Sequence, residues 1–180
     1  MKSSRHCRAV LLLVVVASIT ALVGSNVAQA ARAQRAVLLN RLSDAVLEDT
    51  NALRARHGLA PLRVSAGLTA AAREHSREMA RDGYFGHESP DGSSFDRRIG
   101  RYYPSSGRSF WSVGENIVWS LRLGAVMALR LWLRSPVHRE NLFGESWREI
   151  GIAAVRVASG AGTYGGARAT IITADFGVRR

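Results

Sequence analysis

Gly114-Glu115-Asn116-Ile117 at one end and Ser135-Pro136-Val137-His138-Arg139-Glu140-Asn141 at the other frame the stretch on which the fold turns. Between them, Leu121 to Leu133 is apolar apart from Arg122, Gly124 and Arg130. The spacing predicts a helix that places Ala125, Ala128, Leu129 and Trp132 on one stripe. Pro136 disfavours helical geometry at Ser135, so the helix is expected to stop there, with His138 in the loop just beyond. One rigid, buried element then holds a carboxylate at one end and an imidazole at the other. Upstream, Tyr84-Phe85-Gly86-His87 offers a second imidazole in a similar setting. Two histidines and a glutamate near short loops predict a shallow polar site over an apolar core.

The flanking chain reads as alternating helices and loops that end in two strands. From Val37 an amphipathic helix is expected, with Leu38, Leu42, Ala45, Val46 and Leu53 on one face and Arg41, Asp44, Glu48 and Asn51 on the other. Gly58 ends it near His57, and Asn51 and His57 read as helix-end residues serving caps and the dipole. Ser65 is the expected N-cap of a helix from Ala66 to Asp82, stopped by Gly83. Leu68, Ala72, His75 and Met79 share its stripe, so His75 reads as a hydrogen-bonded core or boundary histidine. On its outer face Glu74–Arg77 and Glu78–Arg81 are spaced as weak i,i+3 pairs.

A turn-rich connection runs from Tyr84 to Arg98, with a short helix around Phe95 to Ile99. Gly100 to Ser112 is expected to be a surface loop whose aromatics either cover the core edge or line a groove. Glu149 to Val157, apolar on both faces, reads as a central strand. Ser159 to Ala167 holds Gly160, Gly162, Gly165 and Gly166 and is expected to be a flexible hairpin loop. Ala169 to Phe176 is its antiparallel partner. Pairing with a segment around Asn116 to Trp119 completes a small antiparallel sheet covered by helices. Neither an internal repeat nor a second domain is visible.

Lys2, Arg5 and Arg8 precede an apolar run from Val10 to Gly24, and Ala28-Gln29-Ala30 supplies small residues at a cleavage position. This pattern predicts a signal peptide over residues 1–30, a short linker over 31–36 and a folded domain over 37–180. The apolar run is shorter than the ~20 residues a membrane span needs, so the expected product is secreted, without a transmembrane helix. The only cysteine, Cys7, leaves with the leader, and the remaining 150 residues rely on their core rather than on a disulfide.

Cleavage removes three basic residues and leaves 22 against 14 acidic ones, a formal net charge of +8 carried wholly by arginine. Either this is a solvated arginine-rich surface or it attracts an anionic partner such as phospholipid headgroups or wall polymers. Basic residues do not alternate with aromatics as in single-strand binders, so no nucleic-acid partner is expected.

Gly83-Tyr84-Phe85-Gly86-His87-Glu88-Ser89-Pro90-Asp91-Gly92, Gly114-Glu115-Asn116-Ile117 and Trp132-Leu133-Arg134-Ser135-Pro136-Val137-His138-Arg139 together resemble the bacterial CAP superfamily. That superfamily is named for cysteine-rich secretory proteins, antigen 5 and pathogenesis-related proteins, and its domain is also called the SCP domain. Asn51-Ala52-Leu53-Arg54-Ala55-Arg56-His57-Gly58-Leu59, Ile150-Gly151-Ile152 and Asp175-Phe176-Gly177 also fit, so the resemblance spans about Val37 to Val178. It implies an α+β fold, an α-β-α sandwich, in one CAP domain. It also implies a cavity lined by two histidines and two acidic residues. By motif these are His87, Glu115 and His138, while the position of the second glutamate is occupied by Ser135.

Imidazole suits Zn(II) or another divalent metal, and a nearby carboxylate can orient or deprotonate a bound water. Catalytic zinc takes three protein ligands, whereas this site offers two secure ones, His87 and His138, with Glu115 reaching the metal either directly or through water, so only weak metal binding is expected. Three readings stand side by side: a structural hydrogen-bond network, reversible metal binding, and hydrolysis with Glu115 as base. At the level of function the choice is between a secreted, monomeric binding module and a metal-assisted hydrolase of peptide or cell-wall bonds. The module would hold a lipid or anionic envelope component in an apolar groove between helices. Ser135 and the missing third ligand favour binding.

Overall fold

Alternation along the last strand, β5 (Ala169–Arg179), sets the layers. Ile172, Ala174, Phe176 and Val178 face one side of the sheet, and Ile171, Thr173 and Asp175 face the other. In the computed structural model the described residues are 36–180, so the expected leader, its cleavage site and most of the linker lie outside them. β5 pairs antiparallel with β3 (Trp111–Ser120) on one side and β4 (Glu149–Val157) on the other. β1 (Val37–Leu38) adds antiparallel to β4, giving the order β1-β4-β5-β3, and β2 (Arg63–Val64) makes a short parallel pairing with β4.

Helices α1 (Asn40–Arg56), α4 (Ala125–Arg134) and α5 (Pro136–Phe143) cover the face bearing Phe176, through Val46, Leu53, Leu129, Trp132 and Leu142. Helices α2 (Ala66–Asp82) and α3 (Phe95–Gly100) cover the other, through Leu68, Met79 and Ile99. The architecture is the expected single-domain α-β-α sandwich.

α2 is set by its ends and by two small residues. Ser65 Oγ accepts from the Leu68 N–H, and Gly83 closes the helix in left-handed geometry, its N–H donating to Met79 O. Gly151 on β4 lets the helix backbone lie directly on the strand, because a Cβ there would stand 2.0 Å from the Leu68 carbonyl carbon and the Thr69 nitrogen. Ser76 Oγ, on the buried side of α2, donates to Thr173 Oγ1 at 2.8 Å.

β3 is the outermost strand on its side, yet its free edge is not bare. Trp132 Nε1 donates to Ile117 O at 3.0 Å, and Asn141 Nδ2 donates to Glu115 O at 3.1 Å. Side chains of α4 and α5 thus occupy carbonyls that would otherwise face outward.

Several local expectations are corrected. The first helix starts at Asn40 rather than Val37, because Val37 and Leu38 pair with Arg156 and Val155 of β4. α4 starts at Ala125, with Gly124 in extended geometry before it, so Leu121 to Leu123 precede the helix. Ser135 does end α4 in extended backbone, as Pro136 requires, but Pro136 is then the first residue of α5. His138 therefore lies in the first turn of a helix, not in a loop. Glu115 sits within a strand rather than beside a short loop.

The glycine-rich connection is packed rather than flexible. Tyr164 is buried, its Oη donates to Tyr84 O at 2.8 Å, and the Thr163 N–H donates to Gly83 O at 2.8 Å. A Cβ on Gly162 would lie 2.1 Å from Gly83 O, so glycine permits this contact between α2's end and the loop. The i,i+3 pairs on α2 are not made. Glu74 meets Arg101, Glu78 turns inward, and Arg81 pairs with Asp82. Of the aromatics between Gly100 and Ser112, Tyr103 is buried and Trp111 is bonded to its carbonyl, whereas Tyr102 and Phe110 are exposed. Among the described residues no helix is long and apolar enough to cross a membrane.

Candidate functional site

The site straddles the outer edge of β3. Glu115 points to the α2 face, where the loop after α2 brings His87, and α5 brings His138 from the opposite side. His87 Nδ1 lies 2.8 Å from Glu115 Oε1. Because a carboxylate only accepts, this nitrogen carries the proton and leaves His87 Nε2 with a lone pair. That Nε2 lies 3.4 Å from His138 Nε2, with ring centroids 5.5 Å apart. His138 is placed by Asn116, whose Nδ2 donates to His138 O at 2.9 Å, and Asn141 Nδ2 donates in turn to Asn116 Oδ1 at 2.8 Å. The structure thus brings together His87, Glu115 and His138, and leaves Ser135 at the α4–α5 junction with no carboxylate to offer.

The second oxygen of Glu115 is taken by Arg98 of α3, a buried ion pair with both side chains fully enclosed. Arg98 also donates to His87 O at 3.0 Å and Ser89 Oγ at 3.2 Å, tying the His87 loop to α3. His75 lies behind this pair: its Nε2 is 2.9 Å from Gly86 O and 3.8 Å from Glu115 Oε2. The core-histidine reading holds for His75, since it is wholly buried, and it also forms the inner wall of the site. Burial lowers its pKa, against the raising influence of Glu115. Burial, reinforced by His87, lowers that of His138.

On its far side His75 meets Glu78, which accepts from Tyr84 Oη at 2.6 Å and Ser89 Oγ at 2.9 Å. Burial opposes the Glu78 charge, but these hydrogen bonds outweigh it and hold the carboxyl below its ordinary range.

Asp175 is the residue that sequence reasoning quoted in a motif without giving it a role. It is the cross-strand partner of Glu115 and is 0 % exposed, and neither carboxyl oxygen has a hydrogen-bond partner. Burial first, and Glu115 second, push its pKa well above the usual carboxylate range. Arg98 was also missed. Its signal was faint, an arginine in a short helix, whereas the partner's identity depends on how α3 packs on β3.

The two imidazole nitrogens are spaced for a metal. Ligand bonds of ~2.0–2.1 Å at the tetrahedral angle put neighbouring nitrogens ~3.3–3.4 Å apart. Among the described residues, however, no group of three His, Cys, Asp or Glu side chains is arranged to hold an ion. The geometry fits a two-donor site, with Glu115 orienting His87 from behind.

A second concavity lies between α1 and α4. Asp49, Ala52, Leu53 and Arg56 of α1 and Val126, Leu129, Arg130, Leu133 and Arg134 of α4 line about 430 Å³. Its floor is apolar and three of its rim residues are arginines.

A sequence profile of the CAP family, described as the cysteine-rich secretory protein family, matches residues 47–176. The chain is 35% identical over 115 residues to the uncharacterized protein YkwD of Bacillus subtilis (strain 168), covering 63% of this chain and 42% of YkwD. It spans less than half the length of the curated relatives it matches. An extracellular protein containing a SCP domain from Bacillus anthracis str. Ames superposes with a TM-score of 0.60 at 29% identity, covering 78% of this chain and 41% of the other. An outer surface protein of Borrelia burgdorferi shares the fold, with a TM-score of 0.65 at 19% identity over 81% of this chain and 100% of the other. On these grounds, and on the sandwich and site just described, the chain belongs to the CAP family.

Proposed function

We propose that the chain is an extracellular binding module that holds an acyl chain with an anionic headgroup in the α1–α4 trough. The observation that carries this reading is the trough's chemistry: apolar along its floor, with Arg56, Arg130 and Arg134 at the rim and Asp49 as the one acidic lining residue. About 430 Å³ lies within the range of small-molecule sites. The site at β3 supports binding over hydrolysis, because both oxygens of Glu115 are engaged and the side chain is enclosed. A base must reach the proton it takes, and this carboxylate faces Arg98 instead.

The test is displacement of a fluorescent fatty acid by palmitate. Saturable binding is expected, weakened at least ~10-fold by Ala52→Trp, which fills the trough. No binding, or binding indifferent to Ala52→Trp, overturns the reading. Turnover of a peptide or cell-wall substrate that is lost in a folded Glu115→Gln variant would favour the hydrolase instead.

The 3.4 Å separation of the two Nε2 atoms favours a second, compatible reading. His87 and His138 would hold a divalent metal such as Zn(II), which, when bound, would act as a Lewis acid or a structural clip. This chain's own part is to set the tautomer of the neutral His87 ring, through the bond from Nδ1 to Glu115, so that Nε2 faces His138, and to fix His138 through Asn116. Two imidazoles supply roughly half of a four-ligand site, or ~5–8 kcal/mol, which corresponds to dissociation constants from about micromolar to a few hundred micromolar. Titration calorimetry with zinc at neutral pH should show heat that disappears in His87→Ala and His138→Ala. Equal heat in the variants, or none in the parent, leaves the pair as a structural contact.

A further inference from the structure

We infer that the α4 end of the trough is a docking surface for an anionic bilayer. Leu121, Val126 and Met127 are 55%, 66% and 40% exposed, although the residues between and beside them, Leu123, Ala128 and Leu129, are buried. The segment is therefore anchored in the core while three large apolar side chains face outward within seven residues. Isolated exposed apolar residues are ordinary; a cluster at the mouth of an apolar channel is not.

The channel continues to this cluster. Ala45, Asp49, Gly124, Ala125, Val126, Met127 and Arg130 line a further concavity of about 510 Å³, which shares Asp49, Val126 and Arg130 with the trough. The two adjoin along α4 through these shared residues; Val126 and Met127 belong to their lining, and Leu121 lies just before the helix.

Charge selects the partner. Between Glu115 and Glu140 the sequence holds Arg122, Arg130, Arg134 and Arg139 and no acidic residue, and from the facing helix Asp49 is the one acid that lines the two concavities, against Arg56, Arg130 and Arg134. Arg122 and Arg130 are exposed and flank the apolar cluster. A symmetric second copy would bring two net-basic faces together, which opposes self-association through this face. An anionic lipid surface satisfies both features at once: the arginines meet headgroups while Leu121, Val126 and Met127 enter the boundary of the acyl region. The inference rests on the trough reading, for it places the trough's mouth at the membrane from which an acyl ligand would enter.

The experiment uses residues 31–180, the expected mature chain, which holds no cysteine, labelled with the fluorophore NBD at Met127→Cys, and in a control at Val64→Cys, which is more exposed and lies on β2. Vesicles of phosphatidylglycerol and phosphatidylcholine should shift the emission at position 127 to the blue, and lipids carrying a quencher should quench it, with neither effect at position 64. Added salt should weaken the response, and Arg122→Gln with Arg130→Gln should weaken vesicle affinity by about 30-fold. Leu121→Ser should abolish the blue shift. No shift at 127, an equal shift at 64, or the same response to purely zwitterionic vesicles would overturn the docking face. Ala52→Trp separates the two readings. Retained docking with lost palmitate binding supports both, whereas palmitate taken up from water without any shift at 127 sinks docking and leaves the trough intact.

Discussion

Replacing Glu115 by Gln and Asp175 by Asn, singly and together, tests the electrostatics at the heart of the molecule. Arg98 is fully buried, and Glu115 neutralises it directly. Asp175 stands opposite Glu115 with no hydrogen-bond partner, and burial pushes its pKa upward. With Asp175 protonated, the buried set balances as one cation, one anion and one neutral acid. Asp175→Asn exchanges a neutral acid for a neutral amide and should cost ~0.5 kcal/mol.

Glu115→Gln removes the anion, but Asp175 can then release its proton and take over the charge of Arg98, so the loss is limited to ~2 kcal/mol. The double variant leaves Arg98 buried with no counter-charge, a condition that costs ~3–5 kcal/mol. Taking ~4 kcal/mol for the double, the excess over the two singles is ~1.5 kcal/mol, well beyond the ~0.5 kcal/mol within which independent sites add. Urea unfolding followed by tryptophan fluorescence reads it, since Trp132 and Trp147 are buried. Additive losses would refute the idea that Asp175 is a neutral reserve for the Arg98 charge.

Two further expectations follow from the packing and the imidazoles. Tyr164→Ala should destabilise the chain by ~3–5 kcal/mol, as for other large aromatic truncations, and a Gly/Ser insertion between Gly162 and Gly165 should lower the melting temperature sharply; near-parental stability of either would show the loop to be peripheral. His75 and His138 both have lowered pKa values in the fold, so the unfolded chain binds more protons and their contribution, complete above pH ~6.5, is lost as pH falls below it. Asp175, shifted upward, acts in the opposite sense, its contribution fading as pH rises through its native pKa. In Asp175→Asn, which removes that opposing contribution, urea midpoints measured from pH 7.5 to 5 should therefore fall, and adding His75→Gln should flatten the slope; a midpoint that rises on acidification in Asp175→Asn would contradict the assignment.

What was legible in the sequence was what period and punctuation encode. Ser65 and Gly83 bounded α2 correctly, and the apolar run of Glu149 to Val157 marked a strand buried on both faces. Proline was read half correctly. It ended α4 at Ser135, but the fixed φ of Pro136 suits a helix start equally well, and the choice between loop and helix lay in contacts of α5 with β3. Glycine misled in a similar way. The run from Gly160 to Gly166 reads as slack chain, whereas Gly83 and Gly162 are small because two backbones touch there.

The motif histidines and Glu115 were found because they lie in recognisable local strings. Arg98 and Asp175 were not, since each matters only for what the tertiary fold sets beside it. The raised pKa of Asp175, in particular, leaves no trace in composition or spacing.

The outer edge of β3 carries a consequence for self-association. A sheet's last strand offers a row of unmet hydrogen-bonding groups on which a foreign strand can be templated. Here that row bears the site residue itself, and Trp132 and Asn141 close it at Ile117 and Glu115. The lock is made of side chains from helices, not of another strand. It therefore fails whenever α4 and α5 peel away, even if the sheet survives. A lesion at Trp132 would empty part of the core and also expose a β-rich segment able to recruit copies of itself. A lesion that leaves His87 and His138 themselves unchanged would thus show itself first as aggregation.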